Sequence, residues 1–141
     1  MHILRRTLLG IALTLSTTTA AALAQTAAAT TAPAGNPAII PVPRTDPRPS
    51  ARHETINARI REARGKVDLI FVGDSITQGW EGNGKEVWAK YYEHRRAANL
   101  GVGGDRTQHV LWRLDNGNLE GIQPKVAVVM IGTNNVPGRP D

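Results

Sequence analysis

VDLIFVGDSITQGW, residues 67–80, runs through apolar and β-branched residues without alternation, stops at Gly73 and then presents Asp74 and Ser75. A short unbroken run of this kind fits a strand buried on both faces. The serine that follows stands where a helix should begin. Such a serine is either an N-cap, a role the residue type often fills, or a nucleophile held at the mouth of a sheet. The segments on either side decide between the two.

Upstream, Ser50 is a plausible N-cap for ARHETINARIREAR, with Ile56, Ile60 and Ala63 on one face and Gly65 just past the end. Downstream, KEVWAKYYEH (85–94) has helical spacing, with Val87, Tyr91 and His94 on one side and Trp88 with Tyr92 on the next. AANLG (97–101) is a short strand, and RTQHVLWRLDNG (106–117) is a helix with Val110, Leu111 and Leu114 inward. KVAVVMIG (125–132) is a second unbroken strand, also expected to be covered on both faces. Helices alternating with strands predict a parallel sheet in a layered α/β fold. A third strand this apolar leaves an open edge, and such edges invite association. The expectation is an oligomer formed through that edge, or more sheet beyond it.

In an open parallel sheet, ligands gather at the carboxyl ends of the strands. Three such ends are readable: Gly73-Asp74-Ser75, Gly101-Val102-Gly103-Gly104-Asp105 and Gly132-Thr133-Asn134-Asn135. Each joins small residues to a polar group. Ser75 with its own N–H, a backbone N–H from the glycine loop and an Asn side-chain amide could converge on one point. Three donors around a serine oxygen would stabilise the charge that develops in acyl transfer. GVGGDR lacks the third glycine of a dinucleotide fingerprint, and no G-K-[ST] is present. The aspartates are too dispersed, and the histidines too irregularly spaced, to predict a metal centre. No metal or other cofactor is expected.

Composition narrows the class further. Arg5 and Arg6 precede an uncharged apolar stretch that leads to Ala22-Leu23-Ala24, the pattern of a secretory signal peptide over residues 1–24. Leu8 to Leu15 is too short to cross a bilayer, which takes ~20 residues. The expected location is therefore secreted or periplasmic, with no membrane span once the signal is removed. Without residues 1–24, Lys+Arg falls from 17 to 15 against 12 Asp+Glu, so the net charge drops from +5 to +3. The remaining arginines form no aromatic-interleaved stripe, and no nucleic-acid partner is expected. Residues 25–49, Ala/Thr-rich and then Pro-rich, read as a linker. The chain has no cysteine, so disulfides and thiolate metal sites are excluded.

FVGDSITQGW and NLGVGGDRTQHVLWRLDNGNLEGIQPKVAVVMIGTNN together resemble the SGNH (GDSL) hydrolase family. The pattern is most similar to platelet-activating-factor acetylhydrolase catalytic subunits and secreted bacterial relatives. Three blocks match in order and spacing over about residues 67–135. The resemblance implies a flavodoxin-like three-layer α/β/α fold, here cut short after its third strand. It also implies ester hydrolysis through a serine acyl-enzyme, acting on a small-molecule, carbohydrate or lipid ester. By position it makes Ser75 the nucleophile and one oxyanion donor through its own N–H, Gly104 the second donor and Asn134 the third. Asp74 would order the serine turn, while Asp105 and Arg106 would brace the loop. His109 would pack rather than react, and Trp80, close behind the serine, is the candidate for a substrate-facing aromatic. Trp112 is read as core.

The resemblance also implies a catalytic Asp-x-x-His, and this sequence contains none. Residues 50–141 therefore read as the front part of an esterase domain, and the chain is expected to be nearly inactive. A different class of function stays open beside the enzyme: a catalytically incomplete module that binds a ligand or a partner.

Overall fold

The computed structural model describes residues 35–136; the expected signal peptide lies outside the described residues, as does most of the Ala/Thr-rich stretch. Three strands form one parallel sheet: β1 (Leu69–Gly73), β2 (Ala97–Gly101) and β3 (Val126–Met130), in the order β2-β1-β3. β1 is central, pairing Leu69 with Ala97 on one side and with Val126 on the other. Four helices accompany the sheet: α1 (Pro47–Glu62), α2 (Ser75–Gln78), α3 (Lys85–Tyr91) and α4 (Thr107–Arg113). This is the open parallel α/β architecture that the alternating pattern predicts, and it is consistent with the flavodoxin-like fold that the family resemblance implies.

α1 starts four residues earlier than an N-cap at Ser50 suggests, because Pro47 and Pro49 occupy its first turn, where a missing N–H costs nothing. Ile56 and Ile60 turn inward and join Ile70, Val72, Leu100, Val102 and Val110 in the main core. Phe71, between Ile70 and Val72, points to the opposite face, as strand alternation requires. There it meets Trp80, Trp88 and Tyr92 edge-on, with ring centroids 6.3, 5.1 and 4.9 Å away. Edge-to-face contacts of this kind stabilise by roughly 0.5–1.5 kcal/mol beyond the area they bury. The sheet thus has an aliphatic face and an aromatic one.

Two interior assignments differ from the sequence pattern. Leu111 is exposed, and Arg113, two residues on, is buried among the positions that face the core. β3 is not covered on both faces: Val126, Val128, Val129 and Met130 are all exposed, at 43–61%. Its outer edge has no partner among the described residues.

The outer edge of β2 is treated differently. Arg52 of α1 donates to the carbonyl oxygens of Asn99 and Gly101 at 3.4 and 3.2 Å. Its guanidinium also grips Glu81 in a two-pronged pair at 2.6 and 2.8 Å, and Arg59 adds a third bond to the same carboxylate. Partial burial works to raise the Glu81 pKa, but the two arginines outweigh it and hold the carboxyl below its ordinary value. A charged side chain laid along a strand edge in this way closes it to further pairing.

Behind the glycine loop lies a buried polar web. Asp105 accepts from Arg113 Nε at 2.7 Å, and Arg113 Nη1 donates to Asn118. Asn118 donates to Asn57 Oδ1 at 2.6 Å, and His53 stands within hydrogen-bond range of both asparagines. Burial lowers the His53 pKa and favours the neutral ring. Burial also pushes Asp105 up and Arg113 down, while their short contact opposes both shifts. The guanidinium keeps its charge, since arginine does not lose its proton in proteins.

Candidate active site

The carboxyl ends of β1 and β2 are covered by the first turn of α2. It lies so close that neither strand end has room for a side chain. A Cβ on Gly73 would overlap Thr77 Oγ1, and one on Gly101 would come within 2.7 Å of the Thr77 carbonyl carbon. Asn99 completes the seat from inside the sheet: its Nδ2 donates to Thr77 O, and its Oδ1 accepts from Gly101 N, both at 2.9 Å. Asp74 is the helix cap, accepting from Ile76 N at 3.0 Å, so Ser75 is the first helical residue rather than the N-cap. Asp74 is buried and Ser75 is exposed. The serine is therefore displayed at the C-terminal end of the sheet by groups that are themselves fixed.

The glycine loop crosses beside it. Val102 N donates to Gly73 O at 3.1 Å, and Gly103 N donates to Gln78 Oε1 at 2.7 Å. A Cβ on Gly103 would stand 3.8 Å from Ser75 Cβ. Gly104 adopts φ +78°, a left-handed conformation that glycine enters without steric cost. Its N–H meets no acceptor among the described residues.

The third strand end closes the arrangement. Asn134 Nδ2 donates to Asp105 O at 2.8 Å and to Asp74 Oδ2 at 3.3 Å. One amide thus ties the serine turn to the glycine loop. Its neighbour Asn135 accepts from Thr107 N at 3.0 Å, anchoring the same turn to the start of α4. Ser75, Gly104 and Asn134, separated by up to 59 residues in sequence, belong to three turns laced together by direct hydrogen bonds.

Residues 71–141 match the model of the GDSL-like lipase/acylhydrolase family. The chain belongs to that family. It is 42% identical over 102 residues to platelet-activating factor acetylhydrolase IB subunit alpha1 of Rattus norvegicus, covering 71% of this chain and 43% of the relative. The Homo sapiens alpha1 subunit matches with the same identity and coverage. The Rattus norvegicus alpha2 subunit is 53% identical over 68 residues, 48% of this chain and 29% of the relative. The chain thus spans less than half the length of these relatives. The matched residues 71–141 include Gly73, Asp74 and Ser75 and the two turns tied to them.

Trp80 lies elsewhere. Its ring packs against Phe71 and Tyr92, and with Trp88, Ile56, Ile60 and Leu100 it borders a groove of about 710 Å³ that none of Ser75, Gly104 and Asn134 lines. Trp112 is half-buried, stacked at a tilt on His53 with 5.2 Å between ring centroids. His109 is buried and accepts from Arg106 N through Nδ1 at 3.0 Å, a capping contact at the start of α4. Among the described residues, no three His, Cys, Asp or Glu side chains group as metal ligands, and no helix is long and apolar enough to cross a membrane.

Asn99, Gln78 and Arg113 escaped the sequence reading although each shapes the site. An asparagine inside a short strand and an arginine at a core-facing position of an amphipathic helix were the available signals. Replacing Asn99 by leucine keeps the branched shape of the side chain but strands Gly101 N in the interior and leaves Thr77 O only the Gly79 N–H. Each buried unpaired group costs about 1–3 kcal/mol. Urea unfolding of Asn99→Leu is expected to show a loss of about 2–4 kcal/mol, and a change below ~0.5 kcal/mol would contradict this seat for α2.

Proposed function

We propose that this chain carries the nucleophile and oxyanion groups of a serine carboxylic-ester hydrolase that works through an acyl-enzyme. The observation that supports the reading most is the lacing of three strand ends around an exposed Ser75. In this reading Ser75 Oγ attacks the ester carbonyl carbon and the carbonyl oxygen takes the negative charge; the tetrahedral centre then breaks its bond to the alcohol oxygen, the serine proton leaves with that alcohol, and an acyl-serine ester remains. The unengaged Gly104 N–H and the Ser75 N–H receive the oxyanion. Asn134 contributes the hydrogen now directed at Asp74, the longer of its two bonds. A preorganised donor of this type contributes about 10²–10³-fold in rate.

Short acyl groups on sugar or lipid alcohols are the proposed substrates. The acetylhydrolase names of the matching relatives support an acetyl group. We place the protein outside the cytoplasm, on the strength of the signal-like pattern of residues 1–24. A mature N-terminus at Gln25 in protein recovered from the host's exported fraction is the expected result; an intact Met1 on the folded cellular protein would contradict export.

None of the described residues that lace the three turns around Ser75 (Asp74, Gln78, Gly103, Asp105 and Asn134) is a histidine, which favours a second reading, a module that binds an acylated ligand without turning it over. Without a general base a serine is a poor nucleophile, and loss of one triad member lowers rates by ~10⁴-fold or more. Intact-mass analysis after exposure to p-nitrophenyl acetate separates the two. The enzyme reading predicts slow acetylation confined to the peptide carrying Ser75 and absent from Ser75→Ala. Acetylation that is equal in both proteins would sink it, and saturable ester binding without acetylation would support the binding module.

A further inference from the structure

Residues 36–46 were expected to be linker, yet they lie across the start of α4 and reach under the glycine loop. Ala38 O accepts from Thr107 Oγ1 at 2.6 Å, and Val42 N donates to Gln108 O at 3.2 Å. Asn135 Nδ2 donates to that same Thr107 hydroxyl and to Gln108 Oε1, each at 3.1 Å. The segment is therefore tied to the turn that holds Asn134. Its end is fixed as well: Ser50 Oγ donates to Arg44 O at 3.1 Å, and Arg44 Nε donates to Asp46 at 2.8 Å.

Arg44 carries the argument further. Its side chain is only 13% exposed, unusual for an arginine on an extended segment. Nη1 stands 3.2 Å from the point a Cβ on Gly104 would occupy, so the guanidinium lies directly against the loop residue whose N–H is unengaged. The same atom is 3.9 Å from Asp105 Oδ1, close enough for charge attraction and too far for a hydrogen bond. Arg44 Nη1, Asp105 Oδ1 and Arg113 Nη2 are all buried without a protein partner, and all three residues border one cavity of about 150 Å³. The lining of this cavity is mainly apolar, but the two donors and one acceptor that border it supply the polar partners an ordered water needs. A small anion would satisfy the guanidinium groups but would leave the Asp105 oxygen unpaired and repelled.

We propose that the 36–46 segment is a strap and that Arg44 is a positioning residue, acting through Asp105 and a bridging water to hold the Gly103–Asp105 loop in its donor geometry. The strap holds two of the three donor-bearing turns from outside: the Gly104 loop through Arg44 and the Asn134 turn through Thr107. This inference rests on the oxyanion reading of Gly104 given above. Burial alone would make Arg44 a stabilising side chain; its placement against Gly104 makes its effect local.

Backbone hydrogen exchange in the full chain tests the proposal independently of catalysis. The probes are the amides of Gly103 and Asp105, which donate to Gln78 Oε1 and Val102 O. Arg44→Met keeps the apolar stem and removes the fork. It should speed exchange at these two amides by ~10-fold or more, with less than ~2-fold change at Phe71 and Val72 in β1. Arg44→Lys, which lacks the planar fork, should restore only part of the protection. Unchanged loop exchange in Arg44→Met, or a rise that β1 shares equally, would overturn the strap. The acetylation assay, run on the same variants, tells the two readings apart. If wild type never acetylates Ser75, the hydrolase reading falls, while the exchange result still decides the role of Arg44. If wild type does acetylate, Arg44→Met should slow the acylation step at unchanged ester affinity.

Discussion

The structure depends on one close approach: the first turn of α2 rests on the ends of β1 and β2 with no side chain between them. Gly73 and Gly101 make that contact possible, since a Cβ at either position would overlap the backbone or side chain of Thr77. Asn99 then fastens the helix to the strand end with two buried hydrogen bonds. A helix of only four residues has little stability of its own, because nucleation fixes several residues for one hydrogen bond. Its position is therefore set by the sheet. The serine it presents inherits that rigidity, which suits the nucleophile we propose it to be, since donors in place before charge develops stabilise it without reorganisation.

From that contact the polar web follows. Once α2 covers two strand ends, the glycine loop must turn sharply beneath it, and its acid, Asp105, enters the interior with no access to solvent. A buried carboxylate is costly unless paired and hydrogen-bonded. Arg113 supplies the pair, and Asn118, Asn57 and His53 carry the hydrogen bonds onward to α1. The web explains why α4 turns an arginine inward and leaves Leu111 outside. Removing Asp105 or Arg113 would leave an uncompensated buried charge, and removing an asparagine would leave buried polar groups unpaired, so the web fixes one geometry even where it adds little net stability.

Much of this was legible in the sequence, and for physical reasons. Unbroken apolar runs gave β1 and β3, the glycine boundaries gave the strand ends, and the order of periods gave a parallel sheet. Three strand ends of similar chemistry must meet on one side of such a sheet, which singled out the serine turn, the glycine loop and the asparagine turn; the family resemblance, not the pattern, named Gly104 and Asn134 within them. What escaped notice was decided by tertiary contacts. Arg113 occupies a position that helical periodicity assigns to an aliphatic residue. The proline-rich stretch before α1 has the composition of a linker, yet Ala38, Val42 and Arg44 find partners on α4 and the loop that only the folded chain provides. Trp80 stands close to the serine in sequence, but its ring is drawn to Phe71 on the aromatic face of the sheet. The exposure of β3 likewise could not be read from its apolar pattern.

The central claim is that Ser75, Gly104 and Asn134 form one site for a tetrahedral, negatively charged centre. The most direct measurement is an NMR titration of the isotope-labelled chain with methylboronic acid, which forms such a centre on a reactive serine hydroxyl. The account predicts that the Ser75 and Gly104 amides and the Asn134 side-chain amide shift along one saturation curve, and that Ser75→Ala removes all three shifts. Shifts that persist in Ser75→Ala, or a Gly104 amide that stays still while Ser75 moves, would contradict it.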